Sequence, residues 1–217
     1  MAMRPIWQIL VPVFLAVACG GVRADMIDTS HMAPWEFCAQ CHSVDGISRM
    51  PKFPKLAGQR YAYLVKQLGD FQAERRTNDG GPMATNTESL TPAQIESVAR
   101  YFSVQPAPPP AAASQDAAAA DRGRRLFAGG KPEAGIAACA SCHVDGRVNG
   151  VAGAVAPHLE AQHAGYLAKQ LQDFRAGARA NDAAGHMRTI AAALSDEEIE
   201  AVAGYAASLE RPQGAAP

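Results

Sequence analysis

Cys38-Ala39-Gln40-Cys41-His42 returns 101 residues later as Cys139-Ala140-Ser141-Cys142-His143, and the reading of the chain starts from that pair. The repeat is wider than the motif. Tyr63-Leu64-Val65-Lys66-Gln67-Leu68-Gly69-Asp70-Phe71 recurs 103 residues on as Tyr166-Leu167-Ala168-Lys169-Gln170-Leu171-Gln172-Asp173-Phe174. Leu90-Thr91 recurs 104 residues on as Leu194-Ser195. A unit found twice argues for duplicated domains, not for a solenoid. The drift in offset places short insertions in loops of the second copy.

Within each copy the apolar period is helical. Leu64, Val65, Leu68 and Phe71 fall on one face, as do Leu167, Ala168, Leu171 and Phe174. The last helix of each copy has a start signal: Thr91-Pro92-Ala93-Gln94, and the capping box Ser195-Asp196-Glu197-Glu198. Behind them Ile95, Val98, Ala99 and Phe102 share a face, as do Ile199, Val202, Ala203 and Ala206. No strand pattern competes, so the expected class is all-α. Between the copies Pro106, Pro108, Pro109 and Pro110 mark an extended linker, and a helix is expected to begin near Asp116. The expected division is a leader over 1–24, a first domain over 25–104, a linker over 105–115 and a second domain over 116–217. Room for a full helix ahead of the motif exists only in the second copy; with Pro34 in the way, the first is expected to have a short leading helix or none.

The 217 residues suit two domains of about 100 residues each. A formal net charge of −1 gives no electrostatic case for nucleic acid. Arg4 followed by the apolar run Ile6 to Ala18 is too short for a bilayer span of about 20 residues and reads as a secretory signal. Cleavage after Ala24 removes Cys19 and leaves four of the five cysteines, all in the paired motifs. The alternative is a lipid anchor at Cys19. Export to the periplasm is expected in either case.

Cys-x-x-Cys-His is the attachment signal for c-type haem. Cysteines three apart on a helical turn face the same way, so Cys38 with Cys41 and Cys139 with Cys142 can each take two vinyl groups. His42 and His143 then reach the iron from the adjacent position. A redox dithiol would not need a His after each second Cys, and a four-Cys zinc site would not need two complete frames. Two covalently bound haem c groups are expected. The sixth iron position falls to Met83 and Met187, equivalent across the repeat in Gly81-Pro82-Met83 and Gly185-His186-Met187. Their setting reads as a Gly-rich polar loop. His186 is the competitor for the second iron, since imidazole binds iron well. His158 and His163, without His counterparts, read as surface residues. The carbonyls of Pro54 and Pro157 are candidate acceptors for the second ring N–H of His42 and His143. Arg76 and Arg179 are candidates for haem propionates or for solvated surface.

These residues resemble the cytochrome c4 family of dihaem class I cytochromes c, most closely over Ala138 to His143, Pro157-His158-Leu159, Tyr166 to Phe174, Asn181-Asp182, Met187 and Leu194 to Glu198. The resemblance implies two tandem class I domains about a pseudo-twofold axis with His/Met iron in each. It implies an electron carrier, not an enzyme, serving redox proteins such as a membrane oxidase or a dehydrogenase as a free or peripherally membrane-associated shuttle. The alternatives are a cytochrome subunit of a dehydrogenase complex and a dihaem peroxidase. In class I domains a leading helix packs on the last through a Gly and an aromatic; Gly123 and Phe127 match that in the second copy, and the first copy has no clear equivalent.

Overall fold

The computed structural model describes residues 32–148 and 150–211. The expected leader, Cys19, Met26 and His31 lie outside them. The described residues form helices joined by loops and two isolated β-bridges, Lys131 with Ile136 and Arg147 with Val155. No helix among them is long and apolar enough to cross a membrane.

The first helical set contains α1 (Pro34–His42), α2 (Tyr61–Gln72), α3 (Pro82–Thr87) and α4 (Pro92–Ser103). The second contains α5 (Ala117–Gly129), α6 (Ala140–His143), α7 (Ala164–Arg175), α8 (His186–Ala192) and α9 (Asp196–Ser208). The expected faces are the buried ones. Leu64, Leu68, Phe71, Ile95, Val98, Ala99 and Phe102 are buried in the first set. Leu167, Ala168, Phe174, Ile199, Val202, Ala203 and Ala206 are buried in the second. Both capping boxes form: Thr91 Oγ1 accepts from Gln94 N at 3.3 Å, and Ser195 Oγ from Glu198 N at 3.2 Å.

The copies close their last helix differently. In the second, α5 lies against α9 so tightly that a Cβ on Gly123 would sit 2.2 Å from the Ala201 carbonyl oxygen. Phe127 meets Tyr205 there, with ring centroids 5.7 Å apart. The first copy has no separate leading helix among the described residues. Pro34 instead starts α1, where its fixed φ and missing N–H cost nothing. Trp35 then stacks on Tyr101, the equivalent of Tyr205, at 4.9 Å and 7°.

The segment from Pro106 to Ser114 has no regular structure, and Asp116 caps α5 by accepting from Ala118 N and Ala119 N. The two helical sets dock through reciprocal hydrogen bonds. Arg76 donates to Gln67 (2.7 Å), Tyr166 (2.9 Å) and Gln170 (3.0 Å). Arg179 donates to Gln170 (2.7 Å), Tyr63 (3.1 Å) and Gln67 (3.1 Å). Asn78 bonds Gln170 and Asn181 bonds Gln67 in the same crossed sense. That reciprocity is what an approximate twofold axis produces. Both arginines are buried and lie over Phe71 and Phe174, which corrects the solvated-surface alternative for them.

Candidate haem sites

Each motif occupies a helical turn, so its two cysteines share a face. Cys38, like Trp35 and Met83, packs on the core of the first set; Cys139 packs on the core of the second. Cys41 is exposed and Cys142 half-buried. Burial pushes the thiols of Cys38 and Cys139 up to about 11. A redox dithiol works through a thiolate, and burial in apolar surroundings suppresses it. The protonated, core-facing cysteines suit permanent thioether attachment better.

The histidines that follow are buried and held in place. His42 Nδ1 donates to the Pro54 carbonyl at 2.9 Å, and His143 Nδ1 donates to the Pro157 carbonyl at 2.9 Å. Burial lowers the pKa of both rings, which keeps them neutral. With the proton fixed on Nδ1, Nε2 carries the lone pair a metal needs. No described group hydrogen-bonds either Nε2. The Pro carbonyls are brought there by the turn after each motif. Gly46 (φ 70°) and Gly146 (φ 77°) adopt the left-handed conformation that turn demands. Their carbonyls then accept from Leu56 N at 2.7 Å and Ala156 N at 2.9 Å, pinning each Pro loop.

Met83 and Met187 are half-buried. Both stand in the first turn of short helices, α3 and α8, and not in the loop their glycines suggest. Gly81 and Gly185 supply a left-handed residue at each helix start. Asp79 Oδ2 accepts from Met83 N at 2.6 Å, and Asp182 Oδ2 from Arg188 N at 3.1 Å. Local carboxylate caps turned the polar loop into a turn of helix. His186 is exposed, with Nδ1 donating to the Ala183 carbonyl at 2.8 Å.

His158 and His163 are not surface residues. His158 is buried with its Nδ1 3.4 Å from Glu160, and His163 Nε2 donates to the Ser48 carbonyl of the first set at 2.9 Å. Arg60 reaches from the first set to the carbonyls of His143 (2.8 Å) and Val144 (2.7 Å). Arg211 donates to the carbonyls of Glu160 and Ala57. Sequence reasoning missed this polar layer, because its residues bury one another only after the copies dock.

The donor set fits the group the motifs imply: paired cysteines on one face, a neutral imidazole with an oriented free nitrogen, and a half-buried thioether, each present twice. A helical fold with two such frames is that of a dihaem c-type cytochrome. The family model for cytochrome c matches residues 32–103 and 120–210. A cytochrome c4 of Thiocapsa roseopersicina is 42% identical over 174 residues, covering 80% of this chain and 88% of the relative. The crystal structure of reduced recombinant cytochrome c4 from Pseudomonas stutzeri superposes with a TM-score of 0.69 at 43% identity, covering 80% of this chain and 94% of that one. A thiosulfate dehydrogenase electron acceptor of Stutzerimonas stutzeri is 38% identical, covering 79% of this chain and 78% of the relative. The chain belongs to the cytochrome c4 family. It is an electron carrier with two covalently bound haem c groups, one at each Cys-x-x-Cys-His motif.

Proposed function

We propose that the protein carries single electrons in the periplasm towards a terminal oxidase, and that His42 and Met83 would hold the iron in the first domain and His143 and Met187 in the second. Bound haem supplies one-electron chemistry at iron, and His/Met ligation sets its potential above that of bis-His ligation. The chain's part is to hold each group covalently through its cysteines, to fix the imidazole through the Pro carbonyl and to exclude water with the helical cores. The observation that carries this reading is the pair of buried histidines whose Nδ1–H is tied to a Pro carbonyl. The domains are proposed to divide as 25–104 and 116–217 about the linker 105–115, after removal of 1–24. The exposure of His186 and its bond to Ala183 favour Met187 over it as ligand.

A second reading has a specific observation behind it. A relative named as the electron acceptor of a thiosulfate dehydrogenase matches over most of its length, so a dehydrogenase is a candidate donor to this chain. The two readings describe opposite ends of one shuttle. Mass spectrometry of the denatured protein should show two haem additions; one or none would defeat the assignment. The oxidised protein should show the methionine–iron charge-transfer band, halved by Met187→Ala and unchanged by His186→Ala. Stopped-flow mixing with a purified oxidase and a purified dehydrogenase then separates the readings by which partner turns over the cytochrome.

A further inference from the structure

The peptide that holds each proximal histidine is itself held from the other domain. The carbonyl of the Pro54–Lys55 peptide accepts from His42, and the N–H of that same peptide donates to Gln162 Oε1 at 2.8 Å. Gln162 Nε2 closes the ring by donating to the Lys55 carbonyl at 2.9 Å. The mirror image is complete. The Pro157–His158 peptide accepts from His143, donates its N–H to Gln59 Oε1 at 2.8 Å, and the His158 carbonyl accepts from Gln59 Nε2 at 2.9 Å. Each glutamine oxygen takes one more bond, Gln59 Oε1 from Arg60 N and Gln162 Oε1 from His163 N. All four residues of the two clamps, Lys55, Gln59, His158 and Gln162, are buried.

We propose that Gln59 and Gln162 are positioning residues acting across the interface, each tuning the proximal histidine of the opposite haem. The proposal rests on the reading of His42 and His143 as axial ligands. Bonds on the two ends of one peptide reinforce each other, by about 10–30% per bond. An N–H bonded to Gln162 therefore makes the Pro54 carbonyl a better acceptor. A better acceptor draws the His42 proton, makes the ring a stronger donor through Nε2 and favours ferric iron. Removing the glutamine should do the reverse, in the domain that was not mutated.

The experiment uses the holoprotein with Gln162→Leu and, separately, Gln59→Leu. Gln162→Leu should make the first-domain haem easier to reduce, changing its reduction equilibrium about threefold, which is about 28 mV at 59 mV per tenfold for one electron. The second-domain haem should move far less. Gln59→Leu should give the opposite assignment. In NMR the His42 ring N–H resonance and the Lys55 amide exchange rate should change with Gln162→Leu, and the His143 and His158 signals with Gln59→Leu. Should either leucine variant fail to fold or load, Gln162→Asn and Gln59→Asn keep the amide and shorten its reach. Equal shifts of both haems, or a shift confined to the mutated domain, would make the clamps merely structural and overturn the proposal. If the parent protein lacks hyperfine-shifted resonances from His42 and His143, the ligand reading itself fails, a result distinct from a normal parent spectrum that the variants leave unmoved.

Discussion

The two domains present equivalent tyrosines, Tyr101 and Tyr205, on the last helix, and cover them by different means. The second uses a whole helix, with Gly123 letting two backbones touch and Phe127 leaning on the ring. The first uses one turn's worth of chain: Pro34 opens the motif helix and Trp35 lies flat on Tyr101. The frame around the attachment motif thus requires an aromatic cover on that tyrosine more than it requires the leading helix. Tyr101 also donates to the Val44 carbonyl at 2.8 Å, which ties the last helix of the first domain to the turn after its motif.

The largest effect is expected at Gly123. A Cβ there would stand 2.2 Å from one backbone oxygen and 2.7 Å from the Cβ of Tyr205, and neither can swing away as a flexible side chain could. Gly123→Ala should force α5 off α9 and cost the second domain about 3 kcal/mol, at the upper end of ordinary overpacking. Calorimetry should show that domain melting earlier, with the first domain's transition retained. The counterpart in the first domain is Trp35→Ala. Trp35 is only half-buried, so the loss should be smaller, about 2 kcal/mol, and fall on the first domain. If Trp35→Ala costs nothing measurable, the single-turn cover is not what replaces the missing helix.

What the amino-acid sequence shows by itself depends on where the burial comes from. The cores of both domains, the caps at Thr91 and Ser195 and the attachment motifs are local patterns, and each could be read from its own stretch of chain. The linker and the start of α5 at Asp116 were equally plain from the prolines and the cap. The interface was not. Gln59, Gln67, Gln162 and Gln170 are polar residues with no apolar period to announce them, yet each is buried. Their partners lie about 90 to 115 residues away in the chain, and the twofold relation that satisfies them exists only in the docked pair. His158 and His163 read as surface for the same reason: their partners Gln59 and Ser48 belong to the other domain. Met83 and Met187 stand in short helices where their glycines suggest a loop, because the Asp79 and Asp182 caps extend helix into a Gly-rich stretch.

Acid should distinguish the domains more gently. Burial raises the pKa of Asp70, but hydrogen bonds from Lys66, Asn181 and Arg75 lower it further, and the net shift is downward. Its equivalent Asp173 bonds Lys169 and Asn78 but has Ala178 where the first domain has Arg75. A depressed carboxylate contributes stability that is fully present above its unfolded pKa of about 3.9 and is lost as pH falls through the folded value. Below about pH 4 the first domain should therefore lose stability. Asp70→Asn should flatten that part of the pH profile. A profile unchanged by Asp70→Asn would remove the carboxylate from the account.

The smallest expected difference lies in the middle of the matching helices α2 and α7, at Gly69 and its equivalent Gln172. Gly69 sits in the helix interior with nothing within 4 Å of where a Cβ would be, so no packing reason requires glycine. Its carbonyl accepts from Ala73 N and from Arg75, bonds that any residue at that position keeps. A helix-interior glycine costs about 0.5–1 kcal/mol relative to alanine through the backbone freedom it gives up on folding. Gly69→Gln, which copies the second domain, should stabilise the first by slightly less than that, since Gln is a somewhat poorer helix former than Ala. Gln172→Gly, which copies the first, should destabilise the second by a similar amount, because Gln172 is exposed and buries little of its own. Combined, the two substitutions should move the domain transitions in opposite directions and leave the sum nearly unchanged, as independent sites do. Should Gly69→Gln instead destabilise, the position serves a contact that only the haem-loaded protein makes, and the equivalence of α2 and α7 would hold for their buried faces alone.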